Sequence, residues 1–136
     1  MKKLFLFCFM AMMWLSVTAY ADVPSDAVAF NGHYYKFFNI GCKWSEANAA
    51  CQSMGGHLVT ITSQKEQDFC VSLMGSITPK YCWMGAYHNS DGWHWVTGEK
   101  WDFEYWSYDQ PNGSGGGDYA LIDNGTDSGA CHREQL

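Results

Sequence analysis

The fold is indicated most clearly by residues 43–76, which read KWSEANAACQSMGGHLVTITSQKEQDFCVSLMGS. The first part of this stretch spaces Trp44, Ala47 and Cys51 by three and four residues, as one face of a helix requires. Ser45 is a candidate cap for this helix, and the Gly-Gly pair that follows is typical of a helix end. An amphipathic helix is therefore predicted here, with Trp44, Ala47 and Cys51 on its buried face.

The second part of the stretch predicts a strand and then another helix. In HLVTITS, apolar residues alternate with threonines, which is typical of a short strand. Ser63 precedes Glu66 by three residues, the spacing of a capping box, and Phe69, Leu73 and Met74 then share one helical face. The order helix, strand, helix follows from these patterns.

The flanking sequence predicts strands and one long loop. FNGHYYKFF reads as a first strand entered from an Asn-Gly turn, whereas YCWMGAY, DGWHWVTGEKW and YALI read as later strands of an antiparallel sheet. Between them, residues 102–117 lose all periodicity and contain aromatic residues, a proline and several glycines, which favours a long irregular loop. Together these elements predict an α+β domain with two helices packed on antiparallel sheets.

The N-terminal region is typical of a secretory signal peptide. Lys2 and Lys3 precede an apolar run from Leu4 to Val17, and AYA at residues 19–21 has the small residues of a cleavage site. The run is short for a membrane span. We therefore expect a signal peptide over residues 1–21, a lead-in over 22–29, a single domain over 30–136, secretion of the mature chain and no membrane span.

Composition argues against two classes of function. The chain has 8 Lys and Arg against 14 Asp and Glu, and its net charge of −6 leaves no basic stripe that could follow a phosphate backbone, so nucleic acid is not expected as a partner. The five histidines are scattered and no Ser, His and Asp set forms a recognisable motif. The protein is not expected to be an enzyme.

Five short runs carry a resemblance to a known family. WSEANAAC, GGHLVTITSQKEQDF, CWMGAY, WHWVTGEKWDFEYW and QPN resemble, in order and spacing, the C-type lectin-like domain family across about residues 30–122. The resemblance implies the C-type lectin-like fold, in which a long loop holds a calcium ion that coordinates two hydroxyl groups of a sugar. Calcium suits this role because it takes six to eight oxygen ligands with little directional demand.

The resemblance also implies a set of site residues. Gln110, Pro111 and Asn112 match the loop triplet, with Pro111 as its cis-proline; Asp118 matches a later acidic ligand. Asp127 is the nearest replacement for the family's Trp-Asn-Asp run, with Asp123 second. Gln110, Asn112, Asp118 and Asp127 are therefore the expected ligands of both calcium and sugar, and a glycan or glycoprotein is the expected partner. Gln-Pro-Asn is a hybrid of the mannose-type and galactose-type triplets, so it does not select a sugar.

The predicted mature chain has an odd number of cysteines. One of the six, Cys8, lies in the signal peptide, and exported domains usually pair the remainder in disulfides. In the family, a cysteine of the final strand bridges to the position of Cys51, and we expect that final strand to be missing here after HREQL. Cys70 with Cys82 and Cys51 with Cys131 are candidate bridges, although five cysteines allow many pairings.

Two alternatives to a calcium-dependent lectin remain at this point. The first is a lectin-like domain that binds protein, or serves in adhesion, without calcium. It is favoured by loop aromatics of the types enriched at interfaces, namely Trp101, Phe103, Tyr105, Trp106 and Tyr108. The second is a non-functional truncated copy.

Asn112 and Asn124 also begin glycosylation sequons, and a glycan on Asn112 would prevent it from binding a metal.

Overall fold

A computed structural model describes residues 23–76, 81–111, 119–124 and, for the backbone alone, 131–134. The chain folds into two helices and six strands within these ranges. In chain order they are β1 (Val28–Phe30), β2 (His33–Tyr35), α1 (Trp44–Ser53), α2 (Gln64–Met74), β3 (Tyr81–Asn89), β4 (Gly92–Trp95), β5 (Tyr119–Asp123) and β6 (Cys131–Glu134). No helix in this part of the chain is long and apolar enough to cross a membrane.

The strands form two antiparallel sheets. One is the β1–β2 hairpin, and the other has four strands in the order β4-β3-β5-β6. In the larger sheet Cys82 is opposite Ile122, which in turn is opposite Cys131, so these three backbone positions form a row across the sheet. Two helices and antiparallel sheets confirm the predicted α+β class.

Both predicted helices are present, but only one of the two caps is as expected. Ser63 caps α2 by accepting a hydrogen bond from the backbone N–H of Glu66 at 3.3 Å. The prediction of Ser45 as the cap of α1 is wrong, because that helix already begins at Trp44 after the N-cap Lys43. Glu46 accepts a hydrogen bond from the Lys43 N–H at 2.9 Å and stabilises this end in place of a serine.

Two predicted strands differ from the structure. The FNGHYYKFF segment contributes to a hairpin, because Asn31 and Gly32 both adopt positive φ and turn the chain between β1 and β2. The segment HLVTITS is not a strand. It is partly buried, but its Val59 carbonyl accepts one backbone hydrogen bond from Gly85 at 2.7 Å and no ladder of paired residues is formed.

The hydrophobic core lies between α2 and one face of the larger sheet. Its members are almost fully buried, and Ile61, Met84 and Ile122 are the largest apolar side chains among those less than 2% exposed. The long segment after β4 covers one end of this core through Trp101, Phe103 and Trp106, which pack against it. The fold thus fixes the first part of the loop that the sequence predicted over residues 102–117.

Candidate functional site

The first part of the long loop is fastened to the core by Glu99. Its Oε2 accepts hydrogen bonds from the hydroxyl groups of Thr97 at 2.6 Å and Thr60 at 2.7 Å. These two bonds lower the pKa of the Glu99 carboxyl below its ordinary value, because they stabilise the charged form. The sequence analysis did not identify Glu99. Its bond to Thr97 is local, but Thr60 lies 39 residues away in the chain, so no local pattern predicts that bond.

Aromatic packing supports the middle of the loop. The ring of Trp101 lies 4.5 Å from that of Trp95 and 5.8 Å from that of Trp93, and the ring of Trp106 lies 5.0 Å from that of Trp93. The indole N–H of Trp101 donates to Glu104 at 2.5 Å. These tryptophans form a platform beneath the loop, and aromatic contacts of this kind are worth about 0.5–1.5 kcal/mol each beyond their buried area.

The loop then turns outward toward solvent. Ser107 is 5% exposed, and its carbonyl accepts a hydrogen bond from the Gln110 N–H at 3.0 Å. Asp109 adopts a positive φ of 61° in this turn, and the Gln110–Pro111 peptide bond is cis. Between Ser107 and Gln110, Tyr108 is 96% exposed. The turn therefore presents a nearly free aromatic side chain next to the proline triplet.

The described residues include only part of the expected ligand set. Gln110 is half-buried and Pro111 is exposed, whereas Asn112, Asp118 and Asp127 lie outside the described residues. Asp123, the second choice for the last ligand, is 6% exposed on β5, where its backbone is opposite Tyr81. Across residues 23–76, 81–111 and 119–124, no three His, Cys, Asp or Glu side chains are grouped as a metal site.

Three of the four predicted disulfide partners, Cys51, Cys70 and Cys82, are thiols in the structure. Cys42, Cys51, Cys70 and Cys82 are free cysteines, and the side chain of Cys131 lies outside the described residues. Burial raises the pKa of the Cys70 thiol to about 12 and that of the Cys82 thiol to about 11. The spacing of these cysteines along the chain gave no signal that all four line one groove.

Comparison with known proteins identifies the family. The family model described as the lectin C-type domain matches residues 41–134, which include the loop and the Gln110 to Asn112 triplet. C-type lectin 16 of Crotalus adamanteus is 39% identical over 98 residues, covering 68% of this chain and 65% of that protein. Asialoglycoprotein receptor 2 of Rattus norvegicus is 34% identical over 91 residues, covering 65% of this chain and 29% of the receptor.

A solved structure agrees with these sequence matches. It is the C-type lectin domain of murine dendritic cell inhibitory receptor 2 in complex with an N-glycan, with a TM-score of 0.71 and 26% identity, covering 80% of this chain and 86% of that one. The chain spans less than two thirds of the rat receptor and of the snake lectin. On the family match over residues 41–134, the protein belongs to the C-type lectin domain family.

Proposed function

We propose that this protein is a secreted lectin that binds carbohydrate on its long loop, with calcium as part of the site. The observation that carries the proposal is the match of the lectin C-type domain over residues 41–134, which spans the whole loop. Two similar proteins support a glycan partner. One is named an asialoglycoprotein receptor, and the other was solved with an N-glycan. A glycan, free or on a glycoprotein, is the ligand we assign to this chain.

The donor set is chemically suited to calcium. Gln110 and Asn112 offer amide oxygens, and Asp118 and Asp127 offer carboxylates, so every donor is an oxygen and two negative charges oppose the two positive charges of the ion. The chemistry that the bound ion supplies is coordination of neighbouring sugar hydroxyls. An amide that gives its oxygen to calcium has its NH₂ group left as a hydrogen-bond donor for the same sugar.

The exposed side of the loop suits a sugar as well. A sugar ring presents both hydroxyl groups and a patch of C–H groups, so its site needs polar donors beside an apolar surface. Tyr108 is almost fully exposed and Tyr105 is 38% exposed, and both lie within a few residues of Gln110. The backbone around them is held by Ser107 and by the tryptophan platform, which reduces the ordering cost of binding.

The proposal is tested by carboxylate substitution. We expect Asp118→Asn and Asp127→Asn each to weaken retention on mannose- and galactose-bearing resins by about tenfold or more, which corresponds to about 1.4 kcal/mol of binding free energy. Asp68→Asn is the matched control, because Asp68 is an exposed carboxylate on α2 that bonds only Gln64 among the described contacts. Both resins are needed because Gln-Pro-Asn is a hybrid of the mannose-type and galactose-type triplets and does not select a sugar.

Two results of this experiment would contradict the proposal. If all three variants bind as the unmodified protein does, the carboxylates have no part in the site. If neither resin retains the unmodified protein and a protein ligand binds it equally well in calcium and in chelator, the domain is a calcium-independent protein-binding module. Circular dichroism of each variant establishes that the fold is retained before binding is compared.

Secretion is tested separately. Residues 1–21 have the pattern of a signal peptide, so we expect the full chain, expressed in a host with a secretory pathway, to be recovered from the medium with Asp22 as its first residue. N-terminal sequencing of the recovered protein is the measurement. A chain that stays inside the cell with residues 1–21 attached would contradict this part of the proposal.

A further inference from the structure

A groove of about 1160 Å³ lies beside the core and is lined from several elements of the fold. It contains four thiols that the proposed lectin function does not use. Each comes from a different place: Cys42 precedes α1, Cys51 lies near the end of α1, Cys70 lies on α2 and Cys82 lies on β3. Four cysteines from four parts of the chain thus line the same groove.

Cys82 lies on β3, next to which the segments that carry the other three cysteines are held. It packs against the buried core cluster, of which Cys70 is a member. The next residue along β3, Trp83, donates its indole N–H to the carbonyl of Cys42 at 2.8 Å, which holds the Cys42 backbone beside this strand. The adjacent Trp44 side chain donates to the Met84 carbonyl at 2.8 Å and fixes α1, and with it Cys51, over β3.

Helix geometry disfavours a direct bond between Cys42 and Cys51. The helix α1 begins at Trp44, and a rise of 1.5 Å per residue places Cys51 about 10 Å further along its axis. A disulfide needs Cα atoms within about 7 Å, so the helix itself does not bring Cys42 and Cys51 together. Both remain close to β3, one at each end of the helix.

The charges in the groove agree with this arrangement. Burial is the main cause of the raised pKa of Cys82, and the Cys51 and Cys42 thiols raise it further. For Cys70 the causes are burial first, then the Glu66 carboxylate and Cys82. Such surroundings disfavour thiolates and accept an uncharged disulfide, and because exchange proceeds through the thiolate, the disulfide forms slowly near neutral pH.

We propose that Cys82 is the shared partner in a disulfide site: oxidation joins its sulfur to that of a neighbouring groove cysteine, Cys51, Cys70 or Cys42. The oxidant is a small disulfide such as oxidised glutathione. Two protein thiols and one oxidant disulfide give one protein disulfide and two reduced glutathione molecules, with a mixed disulfide as the intermediate. Cys82 is therefore the residue through which β3 becomes covalently tied to its neighbours.

Trypsin separates all the cysteines of the mature chain, which makes the test direct. Cleavage after lysine or arginine puts each of the five on its own peptide, and these peptides are 37–43, 44–65, 66–80, 81–100 and 101–133. The purified protein is reduced, returned to native buffer, oxidised with glutathione disulfide, quenched in acid, alkylated and digested. Mass spectrometry then reads which peptides are cross-linked.

We expect peptide 81–100 to be joined to 37–43, 44–65 or 66–80 in nearly all molecules that hold a disulfide. The proposal is overturned if Cys82 is recovered alkylated, joined only to glutathione or joined to peptide 101–133. The variant Cys82→Ser should reduce the yield of groove disulfides by tenfold or more, whereas Cys42→Ser should leave a Cys82 bond in place. Because the map of the unmodified protein decides the outcome alone, a variant that fails to fold does not weaken the test.

Discussion

Replacing Trp44 with alanine is expected to lower the free energy of unfolding by about 3–5 kcal/mol. The side chain is 8% exposed, and its ring stacks on that of Tyr119 with centroids 4.1 Å apart. Its indole N–H also donates to the Met84 carbonyl at 2.8 Å, so this one residue joins α1 to both β3 and β5. Alanine removes the ring contacts and leaves that carbonyl without this donor.

Urea denaturation followed by circular dichroism measures this loss. Since small domains are stable by about 5–15 kcal/mol, Trp44→Ala removes a large part of the total, and the variant Trp44→Phe keeps the experiment informative if alanine prevents folding. Phenylalanine retains a ring but not the N–H, and we expect a loss of about 1–3 kcal/mol. Gln52→Ala, on the exposed side of α1, is the control and should change stability by less than about 0.5 kcal/mol. A loss below about 1 kcal/mol for Trp44→Ala would contradict this account of helix packing.

The second large effect is expected at Gly85, where no side chain fits. A Cβ added there would lie 2.7 Å from a methyl group of Val96, 2.8 Å from the Leu58 carbonyl oxygen and 3.3 Å from the Val59 carbonyl oxygen. The backbone of Gly85 also donates to Val59 and accepts from Val96, so the strand cannot shift without loss of these bonds. We expect Gly85→Ala to cost about 1–3 kcal/mol, since overpacking of a well-fitted site has this magnitude.

The matched control is Gly41→Ala, because nothing lies within 4 Å of a Cβ at Gly41. Thermal unfolding of both variants should show a clear decrease for Gly85 and almost none for Gly41. The double variant Gly85→Ala with Val96→Ala separates the two causes. It removes the methyl contact but not the two carbonyl contacts, so we expect only partial recovery relative to Val96→Ala alone. A Gly85→Ala variant as stable as the unmodified protein would contradict this prediction, because the backbone would then shift at this position without loss of stability.

Local sequence patterns were sufficient for the helices. Both were predicted because their apolar residues have helical spacing, and Ser63 was identified as a cap because its bond to Glu66 is made within one turn. The cap of α1 was missed because Glu46 reaches back to the N–H of Lys43, a residue that gives no capping signal of its own. Local patterns therefore predict where a helix lies better than they predict which residues cap its N-terminus.

Tertiary contacts decided the features that were missed. HLVTITS alternates like a strand, yet it approaches β3 where Gly85 allows close contact and it makes one hydrogen bond there rather than a ladder. The attachment of Glu99 to Thr60 and the common groove of the cysteines depend on residues distant in sequence, for which no local pattern exists. The site itself was named through the family resemblance, and Gln110 and Pro111 are the members that lie in the described residues.

The proposed function requires a calcium-supported glycan site on the long loop. The most direct test is binding of one preparation of the protein to a glycan array in millimolar calcium and, side by side, in excess chelator. We predict selective binding to a group of glycans in calcium and a loss of about tenfold or more in chelator. Glycan binding that is equal in the two conditions, or no glycan binding in calcium, would contradict the account.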